Sequence, residues 1–165
     1  EFTGLLGRLE LVAEQKGIKY YYDIKSTIPD ETLAALRALS PATLADEAGG
    51  WTGKPRAAGK QIILIAGGEN KGVSYVELAR AIVDRVRVLI LLPGSASEAV
   101  RAALGPVGEQ AGLVLFSADS LAEASALVGN QQKNGDKVLL SPGGSGFYSR
   151  YLSGQLSFGE LVQRL

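Results

Sequence analysis

Short apolar stretches alternate with helical patterns in the second half of the sequence, and this alternation limits the fold more than any other feature. Strands are predicted at residues 61–66, 86–92, 113–116 and 137–140, and helices at 74–84, 97–104 and 120–130. Strands that alternate with helices pair in parallel, because each helix returns the chain to the same edge of the sheet, and the helices cover both faces. The pattern predicts an α/β fold, a Rossmann-like three-layer domain with a mostly parallel sheet.

The first 40 residues predict a β-hairpin followed by a helix. Residues 9–22 are apolar and β-prone, and a turn-like sequence at 14–17 divides them into two arms. Pro29 suits the first turn of a helix, and an apolar stripe of leucines follows it at helical spacing. A closing helix is predicted at 158–165, and residues 41–60, which are rich in Ala and Gly, predict a loop or an insertion.

Composition narrows the range of functions. The chain has 165 residues, of which 46% are hydrophobic, so one domain with a sizeable core is expected. Its 17 basic and 17 acidic residues balance, so neither nucleic acid nor an anionic membrane is expected as a partner. The sequence has no Cys and no His, which excludes disulfides, thiolate or imidazole metal sites and Ser-His triads within this chain. The apolar runs fall well short of the roughly 20 residues that span a bilayer.

Ligands of parallel sheets bind beyond the carboxyl ends of the strands, where the strand order reverses. The loops selected by this rule are residues 23–27, 67–72, 93–97 and 141–147. Each contains Gly, Ser, Thr or Lys, which suit anions and hydroxyl groups. A binding site formed by several of these loops is therefore predicted.

The loop at 23–27 contains a carboxylate, an ammonium group and hydroxyls beside a predicted helix N-terminus. If the backbone stays extended, Asp23, Lys25 and Thr27 point the same way. A carboxylate suits ribose hydroxyls, and an ammonium group near a helix N-terminus suits phosphate or carboxylate. Alternatively, Ser26 or Thr27 is the helix N-cap, and Asp23 forms a solvated ion pair with Lys25.

Three further positions have both a functional and a structural interpretation. In the glycine-rich loop at 67–72, Lys71 adds a positive charge near a helix start, although the spacing is not that of a P-loop and the turn can be purely structural. Ser145 offers a hydroxyl in a second glycine-rich loop, which can equally be a tight turn. Arg8, at the mouth of a strand, suits a phosphate, and a solvent-exposed arginine is the alternative.

In this order, these stretches resemble the C-terminal domain of the Mur ligases, and among them the enzymes that add D-glutamate to UDP-N-acetylmuramoyl-L-alanine. The matching segments are residues 2–10, 21–29, 64–72 and 139–146. Gly7 stands where the family has His, and the family's Asn, Ser and Asn around the second motif are Tyr22, Ile24 and Ile28. Residues 142–148 depart furthest from the family pattern.

The resemblance implies ATP-dependent amide-bond synthesis, in which a carboxylate is phosphorylated to an acyl phosphate and then attacked by an incoming amino acid. The residues implied to face the nucleotide are Arg8, Asp23 and Lys25, with Asp23 on the ribose. Those implied to bind D-glutamate are Thr27, Lys71 and Ser145, with Lys71 on its side-chain carboxylate. Ser141 is the alternative to Ser145, and Phe147 is an approximate match to a family aromatic residue near the substrate. No residue is assigned as catalytic, and no metal ligand is assigned.

The same resemblance implies that residues 1–165 are a single C-terminal domain of a larger ligase, and the lack of an initiator Met agrees with an excised piece. ATP and Mg would then be bound mainly by a central domain that is missing here, together with an N-terminal domain. The expected partners are D-glutamate, ATP and UDP-N-acetylmuramoyl-L-alanine, in the bacterial cytoplasm. The alternatives are another ligase of the superfamily, such as one like folylpolyglutamate synthase, and a non-catalytic binding module of this fold.

Overall fold

The strands form a single mixed sheet. The computed structural model describes residues 5–40, 59–152 and 157–165. Its strands are β1 (Glu10–Gln15), β2 (Ile18–Tyr22), β3 (Ile62–Ala66), β4 (Val86–Leu91), β5 (Val114–Ser117) and β6 (Lys137–Leu140). Its helices are α1 (Pro29–Leu39), α2 (Val76–Arg85), α3 (Ser95–Gln110), α4 (Leu121–Gln131), α5 (Phe147–Tyr151) and α6 (Phe158–Val162).

The strand order is β1-β2-β6-β3-β4-β5. The hairpin strand β1 is antiparallel to β2, and every other neighbouring pair is parallel. The last strand in sequence, β6, therefore lies between β2 and β3 and is hydrogen-bonded to both. The predicted α/β class, mostly parallel sheet and N-terminal hairpin are confirmed.

Side chains of β3 alternate between two separate halves of the core. Leu64 packs into a cluster with apolar residues of α1, α2 and α3, whereas Ile63 and Ile65 pack into a cluster with residues of α4, α5 and α6. Alternation with period two places successive strand residues on opposite faces. Both faces are covered by helices, so every residue of β3 is buried and the strand tolerates an unbroken apolar sequence.

Most predicted boundaries shift by one or two residues. The larger differences are in α3, which continues past the predicted end at Leu104 across a kink at Gly105, where φ is 48°, and in the short helix α5, which was not predicted. The loop or insertion predicted at 41–60 lies outside the described residues, apart from Gly59 and Lys60. Within the described residues, every helix is too short or too polar to cross a bilayer.

Candidate functional site

Three loops meet at the carboxyl edge of the sheet, where the strand order reverses between β2, β6 and β3. Backbone hydrogen bonds join them: the Gly143 N–H donates to the Ser26 carbonyl at 3.0 Å, and the Gly67 N–H donates to the Pro142 carbonyl at 3.0 Å. Strand order and loop contacts therefore place the segments after β2, β3 and β6 next to one another at the edge where ligands of parallel sheets bind.

Asp23, the first residue after β2, is buried and anchors its loop. Its Oδ2 accepts hydrogen bonds from the hydroxyls of Ser26 at 2.5 Å and Ser141 at 2.7 Å, and its Oδ1 accepts one from the Leu9 N–H at 2.9 Å. Only 3% of the residue is exposed. In this conformation the carboxylate holds together segments from three parts of the chain.

The backbone after Asp23 turns rather than staying extended. A turn at Ile24 and Lys25 is closed by the Ser26 N–H, which donates to the Asp23 carbonyl at 3.1 Å. The expectation that Asp23, Lys25 and Thr27 point the same way was therefore wrong: Asp23 is buried and Lys25 is exposed. The capping alternative was also wrong, because the N-cap of α1 is Ile28, without a side-chain cap.

Glu31, in the first turn of α1, accepts hydrogen bonds from two residues that precede the helix. Its Oε2 accepts from the Thr27 N–H at 2.7 Å, and its Oε1 accepts from Arg8 Nη1 at 3.1 Å. Burial alone raises the pKa of Glu31, but the hydrogen bonds from Thr27 and Arg8 outweigh it and leave the pKa below its usual value. The carboxylate therefore stays ionised at neutral pH.

Thr27 and Lys71 come together from separate motifs. Lys71 Nζ donates to Thr27 Oγ1 at 3.3 Å, although 44 residues separate them in sequence. Lys71 and Lys25 are both exposed, and neither forms an ion pair with any residue that the structure describes. Two unpaired ammonium groups at this edge suit an anionic ligand.

The loops after β3 and β6 are joined by a two-residue antiparallel bridge. Glu69 and Ser145 exchange backbone hydrogen bonds of 2.9 Å in both directions, and Ser145 Oγ donates to the Glu69 carbonyl at 3.2 Å. The approach is so close that a Cβ on Gly68 would lie 2.6 Å from the Ser145 carbonyl oxygen. Glycine is therefore required at Gly68 by steric contact as well as by its φ of +95°.

The Glu69 side chain ties this bridge to two further elements. Its Oε2 accepts hydrogen bonds from Ser95 Oγ at 2.6 Å and from the Ser95 N–H at 3.2 Å, at the start of α3. Its Oε1 accepts from Arg150 Nη1 of α5 at 2.8 Å. The bonds from Ser95 and the positive charge of Arg150 lower the pKa of Glu69.

The two candidate serines differ in access. Ser141 is fully buried, and its hydroxyl is shared between Asp23 and Thr32, with 2.8 Å to Thr32 Oγ1. Ser145 is partly exposed and lies on the bridge beside the loop that contains Lys71. Phe147 is 2% exposed and packs in the core, with its ring centroid 4.9 Å from that of Tyr151. Of the three side chains, only that of Ser145 lies where a ligand at this edge could contact it.

Comparison with known proteins identifies the family. Over 141 residues the chain is 36% identical to the UDP-N-acetylmuramoylalanine–D-glutamate ligase of Pelotomaculum thermopropionicum. The aligned residues make up 86% of this chain and 26% of the relative. It is also 36% identical over 170 residues to the ligase of the same name from Symbiobacterium thermophilum. That alignment covers 100% of this chain and 32% of the relative. The chain belongs to the Mur ligase family. It spans about a quarter to a third of the length of these relatives.

Solved structures share the fold of this Mur ligase domain. The murein peptide ligase Mpl of Psychrobacter arcticus aligns with a TM-score of 0.56 at 15% identity over 94% of this chain and 32% of its own. The MurF ligase of Thermotoga maritima, solved in complex with ADP, aligns with a TM-score of 0.52 at 17% identity over 96% of this chain and 32% of its own. No protein-family model matches the chain.

Sequence reasoning missed three charged or polar partners in this Mur ligase domain. Glu31 had a detectable signal, since an acidic residue three positions after an N-cap commonly accepts hydrogen bonds from the start of a helix. Glu69 and Arg150 had none, because their pairing spans 81 residues and depends on how α5 packs.

Among the described residues, no group of three or more acidic side chains could hold a metal ion.

Proposed function

We propose that this Mur ligase domain is the C-terminal, amino-acid-binding part of an ATP-dependent ligase that adds D-glutamate to UDP-N-acetylmuramoyl-L-alanine in the bacterial cytoplasm. The proposal depends above all on the contact of Lys71 Nζ with Thr27 Oγ1, which joins two motifs into one cationic, hydroxyl-bearing site. The names of the similar proteins support the same reaction.

In the proposed reaction, a carboxylate oxygen of the muramoyl-alanine substrate attacks the terminal phosphorus of ATP, the bond to the β-phosphate oxygen breaks, and an acyl phosphate and ADP form. The neutral amine of D-glutamate then attacks the acyl carbon, the bond to the phosphate oxygen breaks and phosphate leaves, and loss of one proton from the nitrogen to solvent or to the departing phosphate completes the amide bond. Lys71 pairs with the side-chain carboxylate of D-glutamate, and the hydroxyls of Thr27 and Ser145 orient it. A substrate with two carboxylates needs at least one fixed cation and several donors, which these three residues supply.

Arg8 and Lys25 are proposed to face the phosphates of ATP. Asp23 lies behind them and holds the loop that contains Lys25 and Thr27; it reaches a ribose only if its bonds to Ser26 and Ser141 open. We propose that Mg²⁺ and most of the ATP are held by domains outside this chain, consistent with the share of each relative that the chain spans.

The proposal is tested with the full-length protein. Phosphate release is measured with ATP, UDP-N-acetylmuramoyl-L-alanine and, in separate reactions, D-glutamate, L-glutamate, L-alanine and meso-diaminopimelate. Release that depends on D-glutamate is expected. Phosphate release with only one of the other amino acids would assign a different ligase of the superfamily. If no phosphate is released with any of the four amino acids, a binding module would be favoured.

Replacing Lys71 with Ala is expected to raise the KM for D-glutamate by roughly 10- to 100-fold, the size of one lost charge-assisted hydrogen bond, and to change the KM for ATP much less. Steady-state kinetics with each substrate varied in turn give both values. Lys133→Ala, at an exposed lysine before β6, is the matched control and should change neither KM. A larger rise in the KM for ATP than for D-glutamate would contradict the role given to Lys71.

A further inference from the structure

Glu31 contacts a residue of each half of the proposed site. One carboxylate oxygen binds the guanidinium of Arg8, on the nucleotide side, and the other binds the backbone N–H of Thr27, on the amino-acid side. Thr27 in turn accepts a hydrogen bond from Lys71. A continuous chain of polar contacts therefore runs from Arg8 to Lys71 through one acidic side chain.

The ion pair between Arg8 and Glu31 contributes little to folding. The side chains of Arg8 and Glu31 are 46% and 27% exposed, and ion pairs with that access to water stabilise a protein only weakly. What the contacts do fix is geometry. A long arginine side chain is held in one orientation, and the peptide N–H of Thr27, the residue before the N-cap Ile28, is held against the same carboxylate.

We propose that Glu31 is a positioning residue that orients Arg8 toward the nucleotide and Thr27 toward the incoming amino acid, so that the two half-sites depend on one carboxylate. This inference rests on the proposed function. Glu31 acts through Arg8 and Thr27 and does not contact substrate. Loss of its charge is therefore expected to weaken binding of both ATP and the amino acid, and to change the chemical step less.

The test is steady-state kinetics of the full-length ligase with Glu31→Gln, which keeps the shape of the side chain and removes its charge. The KM for ATP and the KM for the amino acid are both expected to rise by about 3- to 10-fold, the range for one weakened hydrogen bond, with a smaller change in kcat. Glu77→Gln is the matched control, because it breaks an exposed ion pair, with Arg80 at 2.6 Å, on α2. It should leave both KM values unchanged.

A double-variant cycle separates positioning from a general structural effect. If Glu31 acts on ATP through Arg8, adding Glu31→Gln to Arg8→Ala raises the KM for ATP no further, while the KM for the amino acid still rises. Glu31→Asp, which keeps the charge on a shorter side chain, provides a second variant if Glu31→Gln does not fold, and the same directions are expected. Additive effects on the KM for ATP, or KM values within twofold of wild type, would overturn the proposal.

The choice of amino acid keeps the two proposals distinguishable. If the wild-type enzyme joins an amino acid other than D-glutamate, the proposed substrate is wrong, and Glu31 is judged by the KM for the amino acid that is joined. If the wild-type enzyme forms no product with any amino acid, both proposals fail.

Discussion

Ser141 shows how a serine in a glycine-rich loop can be structural although a serine four positions later remains a candidate ligand group. Its hydroxyl lies in a fully buried position between Asp23 Oδ2 and Thr32 Oγ1. Because Asp23 also anchors the turn before Thr27, the Ser141 hydroxyl helps to hold that turn in place without facing a ligand. Ser141 is therefore expected to contribute to the free energy of unfolding.

Ser141→Ala should lower the free energy of unfolding by about 1–3 kcal/mol, because buried polar partners lose a hydrogen bond that water cannot replace. Urea unfolding of wild type and variant measures the difference. Ser149→Ala removes an exposed hydroxyl, which donates to the Gly146 carbonyl at 3.0 Å, and should cost less than about 0.5 kcal/mol. Equal losses in the two variants would contradict the buried network.

At this scale, the sequence selected loops that the structure brings into contact, but it did not reveal their partners. Thr27 and Lys71 were predicted to act together, and the structure brings their side chains into contact. The orientation of Asp23 was not predictable, because whether its carboxylate faces solvent or the protein depends on Ser141, 118 residues away. Pairings of that kind are set by strand order, which local patterns do not encode.

At the scale of elements, the loops after β3, β4 and β6 pack against each other almost without side chains. Gly94, the N-cap of α3, would place a Cβ 2.1 Å from the Gly68 carbonyl oxygen, and Gly144 would place one 2.7 Å from the Gly67 carbonyl oxygen. Backbone therefore lies directly on backbone, and the exposed side chain of Lys71 and the partly exposed side chain of Ser145 lie at the rim of this contact.

Gly68→Ala and Gly72→Ala separate steric contact from backbone strain. Both residues have positive φ, +95° and +79°, so both variants should lose about 1–2 kcal/mol from the left-handed conformation. A Cβ on Gly72 meets nothing within 4 Å, whereas one on Gly68 clashes with the Ser145 carbonyl, so Gly68→Ala should lose about 1–3 kcal/mol more. Thermal or urea unfolding checks the order, and equal losses would count against close loop packing.

Elements were predictable where a repeating apolar pattern defined them. The bounds of β6 were predicted without error, because a buried apolar run follows a turn-forming sequence. The helix α5 was missed because it has only five residues, and the i, i+4 spacing of its buried Phe147 and Tyr151 is a single repeat of a helical pattern. The kink in α3 follows from Gly105 and Pro106, and the predicted helix ended just before them.

At the scale of the molecule, the two ends of the sheet have different chemistry. The carboxyl end has exposed ammonium groups and hydroxyls, whereas the amino end has a buried ion pair. There Asp136, just before β6, binds Arg87 of β4, and its Oδ2 also accepts from the Lys133 N–H at 2.7 Å. The Asp136 side chain is 4% exposed, so this charge depends on its partner.

Asp136→Asn should lower the free energy of unfolding by about 3 kcal/mol, near the lower end of the range for buried pairs, because Arg87 keeps some contact with water. The KM values of the full-length enzyme should not change below the unfolding temperature, since the pair lies at the opposite end of the sheet from the site. Glu77→Gln, which breaks an exposed ion pair, should cost at most about 1 kcal/mol. A raised KM with unchanged stability would contradict this division between the two ends.

The parallel sheet with its hairpin was predictable from alternation and turn signals, but the strand order was not. The sequence pattern does not indicate that β6 inserts between β2 and β3, because that pairing joins the two ends of the chain. Contacts between residues so far apart in sequence depend on which strand order of the whole sheet is most stable, and no local pattern shows this.

The central position of β6 has a consequence for synthesis on the ribosome. The hairpin and β3 each pair with β6 and not with one another, so no strand hydrogen bonds join the hairpin to the β3-β4-β5 segment until β6 has been made. The edge of β2 that pairs with β6 therefore stays unpaired until Leu140, the last residue of β6, has emerged from the exit tunnel. Synthesis that stopped before Lys137 would leave the hairpin and the β3-β4-β5 segment without the strand that joins them, with the two sheet edges beside it open to other chains.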